Sequence, residues 1–427
     1  MFQYNLFLAL KNFKRSPSLY ALVCLTLALG IGLLSANLAL VNSMMSDPIP
    51  HKSEKLLHIS MNTWPNDDPH EQPFYILRYQ DTARILAMPH GKNHTVSFRS
   101  GGYAREISQS VSSRTFMTIR ATTEGFFKLT DSPFKYGQGF NSAKGYNVVL
   151  SDRANNRLFQ GQNSVGETIE LSGKQYTIVG VLAPWPLRPR FYHITEQQAF
   201  DSVEDIFMPL ETAIDENIGV HARSSSTESW DTLADSRTRN VYYLQAWVEI
   251  NNQSERKDIQ NYLDSYTQEL KEQGRHPNRI LNKLHNVNEW IEQRNITDQR
   301  VIAFTLVSFL FLAVCIFNAT SLLLSHSHAQ KFEHGLRRAI GASRNQLMIQ
   351  GVIESILLGI ITGLVGVILA YLFLQMSINF IPNIRNIAVL DPAVISVGVL
   401  LAIIVANLSN LYPLVHTNHR TISTELK

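Results

Sequence analysis

Four windows of this chain are almost free of charge: Leu19 to Val41, Val301 to Leu324, Gly351 to Leu374 and Ala393 to Val415. Each holds about 23 residues, enough at a rise of about 1.5 Å per residue to cross a hydrocarbon core of about 30 Å as a helix. A single run of that length is also compatible with a buried core helix. Four of them, with the polar sequence gathered elsewhere, are read as membrane spans. The overall apolar fraction of 45% hides them, because residues 45 to 299 have the composition of a water-exposed domain. Lys11, Lys14 and Arg15 precede the first run as the start of a signal peptide would, but the run is too long for that and is read as a retained span.

Loop charges set the expected orientation. Segments 1–18, 325–350 and 416–427 carry nine Lys or Arg (Lys11, Lys14, Arg15, Lys331, Arg337, Arg338, Arg344, Arg420, Lys427) against Glu333 and Glu425. Residues 45–299 together with 375–392 carry 28 basic and 32 acidic residues. An excess of Lys and Arg marks the cytoplasmic side, so both termini and the 325–350 loop are expected there and the large polar stretch outside. The formal net charge of +3 is a sum over two compartments and gives no reason to expect nucleic acid. Cys24 and Cys315 both fall inside spans, which leaves the exported part without a disulfide to form.

Residues 1–18 contain FLALKNFKRSP, read as an interfacial amphipathic helix leading into the first span at 19–44. The exported region at 45–281 mixes strand-like and helix-like pieces. Residues 72–87 have helix spacing. Val148 to Leu150 is a strand entering a helix that Ser151 or Asp152 caps and Gly161 ends, and ETIELSGKQYTIVGVL is a hairpin about Ser172-Gly173-Lys174. YYLQAWVEI is another strand and SERKDIQNYLDSYTQELKEQ an amphipathic helix. Residues 186–240 are polar, and within them HARSSSTESWDTLADSRTRN (221–240) reads as a mobile loop. From Asn282 nothing would break a helix before the second span, so 282–300 is expected as a stalk continuous with it. Further spans follow at 301–324, 351–374 and 393–415, with a basic loop at 325–350, a short outer loop at 375–392 and a tail at 416–427. The fold class is thus an α-helical membrane protein with four transmembrane helices and a large extracytoplasmic α+β domain inserted between helices 1 and 2.

The segment EHGLRRAIGASRNQLMIQGVIES resembles the signature of MacB-like and FtsX-like ABC transporter permeases, through Glu333, Gly335, Arg338, Ala339, Gly341, Ala342, Ser343 and Glu354. ATTEGFFKLTDSPFKYGQGF and NVVLSDRANNRLFQGQNSVGETIELSGKQYTIVGVL resemble the MacB branch, so the resemblance covers nearly the whole chain. The last span departs from the family pattern, with Asn407 and Asn410 where a glycine-containing turn is usual. The resemblance implies a non-catalytic subunit in the inner (cytoplasmic) membrane. Its partners would be a cytoplasmic ABC ATPase that holds the ATP and magnesium, and a second permease, identical or paralogous. It also admits a periplasmic adaptor and an outer-membrane channel. The 325–350 loop would be the coupling element, with Glu333, Gly335, Arg337, Arg338, Gly341, Ala342, Ser343 and Arg344 as its contact residues. Motion would pass to the exported domain by mechanotransmission, for efflux of a peptide, antibiotic or lipoprotein-like cargo. The alternative is an FtsX-like regulator that activates a cell-wall hydrolase.

Other signals are weaker. Gly161 to Thr168 has the spacing of a phosphate loop, but Glu167 stands where a lysine must meet the phosphates, so no ATP site is expected here. The fourteen histidines form no metal motif. Glu354 is the one acid inside a span, where charge is costly, and is expected to pair with an arginine of the 325–350 loop as a transmission contact. Gly359 and Gly363, four apart, offer a close helix contact. A secondary transporter would need mid-membrane polar groups such as Asn37, Asn318 and Asn407 and an inverted repeat, and no such repeat is evident.

Overall fold

The computed structural model describes residues 2–64, 72–108, 110–194, 199–274, 280–296, 299–380 and 387–418. His419, Arg420, Glu425 and Lys427 of the tail, and part of the 375–392 loop, lie outside the described residues. The chain divides into two units, one formed by Met1–Met45 with Thr297–Lys427 and the other by Ser46–Ile296.

It begins with α1 (Phe2–Arg15) and α2 (Pro17–Met45), separated by Ser16 alone. The second unit runs through β1 (Leu56–Met61), β2 (Leu77–Arg78), α3 (Tyr79–Leu86), β3 (Lys92–Glu106), β4 (Thr115–Thr122), α4 (Gly125–Leu129), β5 (Phe134–Gly137) and β6 (Asn147–Leu150). It continues through α5 (Asp152–Phe159), β7 (Thr168–Leu171), β8 (Lys174–Leu182), β9 (Ile206–Pro209), α6 (Leu210–Asp215) and β10 (Ser225–Ser226). β11 (Val241–Glu249), α7 (Gln253–Glu272), β12 (Asn282–Asn286) and α8 (Val287–Gln293) complete it. The chain then closes the first unit with α9 (Gln299–Ala329), α10 (Lys331–Ala339), α11 (Arg344–Phe380) and α12 (Pro392–Asn418).

In the Ser46–Ile296 unit the main sheet follows the order β12-β1-β11-β3-β4-β9-β6-β8-β5. Most pairs are antiparallel, but β4 with β9 and β6 with β8 are parallel, which makes the domain α+β with a mixed sheet. β11 is buried at every position because it lies between β1 and β3 under covered faces, hence its mostly apolar sequence, with Gln245 and Glu249 as buried exceptions. Ser151 caps α5 by accepting from the Ala154 N–H at 3.2 Å, and Gln160 in the left-handed region ends that helix. Ser172 and Gly173, both at positive φ, form the tight turn between β7 and β8. α7 buries the stripe Ile259, Leu263, Thr267 and Leu270.

Three expectations need correction. Residues 282–300 are not one stalk helix. Asn282–Asn286 pair antiparallel with β1, and Asn286 then starts α8 by a capping box with Glu289. Asn295 at φ 49 follows α8, and the next helix begins at Gln299. Helix-compatible residues became a strand because β1 offered them an open edge, a tertiary choice that propensity does not encode. Residues 72–87 are likewise only helical from Tyr79, with Leu77–Arg78 in a strand beside β11.

The segment 221–240 is not a mobile loop either, since it supplies β10 and its Arg237 donates to Glu211 at 2.8 Å and Asp215 at 2.7 Å. The polar stretch ahead of it is held by a buried cluster in which Glu204 accepts from Arg120 at 2.5 Å, from Arg190 at 3.0 Å and from the Tyr192 hydroxyl at 3.0 Å. Arg120, Arg190 and Glu204 are fully buried. Burial opposes charge on Glu204, but the two guanidiniums outweigh it and hold the carboxyl far below the usual range. Such a cluster tolerates no missing member, because the remaining charge would stay buried and uncompensated.

In the other unit, four helices are long and apolar enough to cross a membrane: Pro17–Met45, Gln299–Ala329, Arg344–Asn379 and Pro392–Val415. They outrun the uncharged windows, so the 325–350 loop shrinks to α10 with short joints. A helix ends where a cap stops it and not where polarity changes. α2 packs against the other three spans, burying Val23, Leu27, Ile31 and Leu34. The 37 residues of α11 give a rod of about 55 Å.

All five tryptophans (Trp64, Trp185, Trp230, Trp247, Trp290) lie in the Ser46–Ile296 unit, so tryptophan fluorescence of the full chain reports that unit's unfolding. Glu204→Gln is expected to cost about 3–5 kcal/mol and lower the melting temperature by on the order of 10 °C. An unchanged midpoint would refute the role of the cluster. Burial also lowers His193, beside Arg120 and Arg190, and His58, beside His285 and Arg294, well below the ordinary imidazole range. The unfolded chain therefore takes up protons below about pH 6.5 that the folded chain refuses, so stability is complete above that pH and falls as pH drops through it. Melting followed from pH 7.5 to 5 should show this fall, with a shallower slope in His193→Gln.

Candidate functional site

The residues EHGLRRAIGAS build a joint between two helices. α10 ends in a Schellman motif: the Ala342 N–H donates to the Arg337 carbonyl at 3.0 Å and the Gly341 N–H to the Arg338 carbonyl at 3.1 Å. That geometry puts Gly341 at φ +111, where a side chain is strained. Two residues on, Ser343 opens α11 reciprocally with Gln346: the Ser343 N–H donates to Oε1 at 2.9 Å and its hydroxyl accepts from the Gln346 N–H at 3.3 Å. The Gly-Ala-Ser run is therefore a stop and a start within a few residues. A Cβ on Gly341 would meet nothing within 4 Å in this chain, so it is the backbone conformation that favours glycine there.

Charges divide into inward and outward sets. Glu333 accepts from Arg337 at 2.6 Å, one turn on, and is ion-paired with Arg15 of α1. Burial pushes this carboxyl up, but the hydrogen bonds from Arg15 and Arg337 prevail and hold it below the usual range. Arg337 also reaches Gln350 of α11 at 3.2 Å. Glu333 and Arg337 thus tie α10 to its neighbours, and Gly335 is buried. Arg344 is exposed and Arg338 half-buried.

The outward surface of α10 is apolar, a feature not anticipated above. Phe332, Leu336 and Ile340 are 58%, 44% and 80% exposed and stand at i, i+4 and i+8 on one face. Their spacing was present in the sequence, but in a nine-residue helix among four cations the charges drew attention first. An apolar ridge flanked by arginine is the kind of surface that seats in a groove of another protein.

Glu354 does not pair with a loop arginine. Its Oε2 accepts from Asn12 Nδ2 of α1 at 2.9 Å and its Oε1 from the Tyr20 hydroxyl of α2. Of the loop arginines, Arg337 is turned to Glu333 and Gln350. Beyond it on α11, Gly359 and Gly363 face α12: Cβ atoms there would stand 2.6 Å from the Ile403 Cα and 3.1 Å from the Val399 Cα. Asn410 of α12 donates to Ser355 at 2.8 Å. Of the mid-membrane asparagines, Asn37 donates to Ser308 of α9 at 2.8 Å and Asn407 to the Ile403 carbonyl of its own helix. These bonds join or settle helices and line no break in one.

The loop with phosphate-site spacing joins α5 to β7, with the Ser164 hydroxyl on Asn155 at 2.6 Å and Gly166 at positive φ. His326 stands edge-on to Tyr20 at 5.6 Å, a packing contact. Among the described residues no group of three or more His, Cys, Asp or Glu is placed to hold a metal ion.

The Ser46–Ile296 unit resembles several solved structures. The periplasmic region of MacB from Actinobacillus actinomycetemcomitans is 15% identical, covering 58% of this chain and 97% of that one with a TM-score of 0.38. The extracellular domain of the transporter YknZ from Gram-positive bacteria is 11% identical, covering 54% and 100% with a TM-score of 0.34. A domain of a permease protein from Porphyromonas gingivalis is 13% identical, covering 56% and 91% with a TM-score of 0.37. No curated protein matches this chain. Two family models do: the MacB-like periplasmic core domain over residues 20–266, more than half of the chain, and the FtsX-like permease C-terminal over residues 305–422. The chain belongs to the MacB/FtsX-like family of ABC transporter permeases.

Proposed function

We propose that this chain is the permease subunit of a MacB-type ABC transporter that converts ATP hydrolysis by a separate cytoplasmic ATPase into motion of its exported domain. Membership of the family implies the ATPase partner. The observation that carries the rest is α10, a helix held to its neighbours by Glu333 and Arg337 and presenting Phe332, Leu336 and Ile340 exposed. An exposed apolar ridge on the cytoplasmic side has no use in water and fits a hydrophobic groove, with Arg338 and Arg344 setting register against acidic groups at its rim. The charge asymmetry of the loops supports a cytoplasmic position for α10 and both termini, and an outward position for Ser46–Ile296.

In this reading ATP and magnesium belong to the partner, and this chain is not the catalyst. Movement of the ATPase draws on α10. The rod α11, fastened to α12 at Gly359 and Gly363, moves with it, and α2 and α9 lead directly into the exported unit along the chain. The size of that unit favours transport over a wall-hydrolase regulator. Cargo in the peptide, antibiotic or lipoprotein class, a second permease subunit and an adaptor with an outer-membrane channel complete the proposal.

Leu336→Asp combined with Ile340→Asp is expected to reduce the ATPase that co-purifies with the full chain by about tenfold or more, as for loss of a buried anchor. Undiminished co-purification would remove the docking role of α10. Co-purification of a cell-wall hydrolase instead of transport components would favour the regulatory alternative. Gly341→Val forces a branched side chain into a positive-φ joint at a cost of about 1–3 kcal/mol. It should leave the ATPase bound and lower its stimulation, measured as phosphate release in nanodiscs.

A further inference from the structure

A flexible joint is a poor transmitter of force. α10 meets α11 at Gly341, and the Arg337 hydrogen bond to Gln350 at 3.2 Å crosses that joint directly. A pull on α10 would strain that one bond unless something further spans the joint. The helix α1 does so. Its Arg15 holds Glu333 of α10, and its Asn12, three residues earlier and on the same face, holds Glu354 of α11. Glu354 lies ten residues into α11, about 15 Å beyond the joint. The short α1 therefore fastens both arms of the hinge through one carboxylate on each.

The inner fastening is the stronger constraint. Glu354 borders a polar cavity of about 70 Å³ that Tyr20, His326, Gln350 and Asn410 also line. A carboxylate near the end of a span is costly without donors. Its two donors come from α1 and α2. Phe13 packs on the Tyr20 ring with centroids 4.5 Å apart, so the α1–α2 corner is held in the same place, and Ala9, one turn before Phe13, is fully buried. The opposite side of α1 shows Tyr4, Phe7 and Leu10, which suits a helix lying in the membrane interface.

We propose that α1 is a brace across the α10–α11 joint, fixed by Glu354 through Asn12 and Tyr20 and by Glu333 through Arg15, so that displacement of α10 moves α11 as one body. The proposal rests on the coupling reading of α10, and its test separates the two. In the full chain with Cys24→Ala and Cys315→Ala, Ala9→Cys reports whether α1 is docked by its rate of maleimide labelling, with no ATPase present. Glu354→Ala should raise that rate at least tenfold. Glu354→Gln should leave it near the parent value, since the amide oxygen still accepts from Asn12 Nδ2 and the amide NH2 donates to the Tyr20 hydroxyl oxygen, which reverses that bond without breaking it. Asn12→Asp sets two carboxylates face to face and should raise the rate, and adding Glu354→Gln should restore it, which a merely misfolded variant would not do. Equal labelling of the parent and Glu354→Ala overturns the proposal. Where the ATPase co-purifies, Glu354→Ala should keep it bound and cut its stimulation at least fivefold, with Glu354→Gln retaining it. Faster labelling with unchanged stimulation also overturns the brace. Absence of a bound ATPase from the parent chain would count against the function proposed above, while the labelling comparison would still decide whether Glu354 holds α1.

Discussion

Backbones in the membrane unit come together where glycine leaves room for them, and the other contacts in that unit depend on it. A Cβ on Gly32 would stand 2.9 Å from the Gly366 carbonyl oxygen and the Leu369 Cβ of α11. One on Gly30 would stand 3.0 Å from Leu312 and 3.2 Å from Cys315 of α9. Gly359 and Gly363 do the same between α11 and α12. In lipid no hydrophobic force favours one apolar helix surface over another, so close packing and a few hydrogen bonds must supply the association. The Asn37–Ser308 and Asn410–Ser355 bonds are of that second kind. With the four spans locked around α2, a carboxylate on α11 can be met by donors from two other helices.

Buried charge is handled differently in the two units. Glu204 sits among arginines under a folded sheet, where the whole cluster is shut from water and serves to hold the 186–240 segment in place. Glu333 and Glu354 sit at the end of the membrane unit and bind across helix boundaries, from α10 and α11 to α1 and α2. The first arrangement fixes one conformation. The second joins parts that a pull on α10 would otherwise separate, which is why the reading of this region as a transmission element rests on contacts between helices more than on the charges themselves.

Much was legible in the chain because it depends on neighbours in sequence. The spans follow from length and apolarity, the α5 cap from Ser151, and the hairpin from Ser172-Gly173. What was misread depends on neighbours in space. Asn282–Asn286 had no helix breaker, yet β1 claimed them, although the Asn286 to Glu289 capping signal was there to be seen. The 221–240 segment looked too polar to pack because its polar groups find partners within the fold, as Arg237 does on Glu211 and Asp215. Glu354 was assigned an arginine because opposite charge was the simplest partner, whereas the fold offers it an amide and a phenol from the N-terminal helices.

The amino-acid sequence by itself determined that this chain has four membrane helices, a large polar domain between the first two, and a basic joint between the second and third. Apolar length, charge asymmetry and cap chemistry are local quantities and can be summed along a chain. Only the tertiary structure decided which side of α10 is occupied and which is bare, and that α1 lies against both α10 and α11. Asn12 and Glu354 are 342 residues apart, and no local preference of either records that they meet; the packing of α1 against α11 brings them within 2.9 Å.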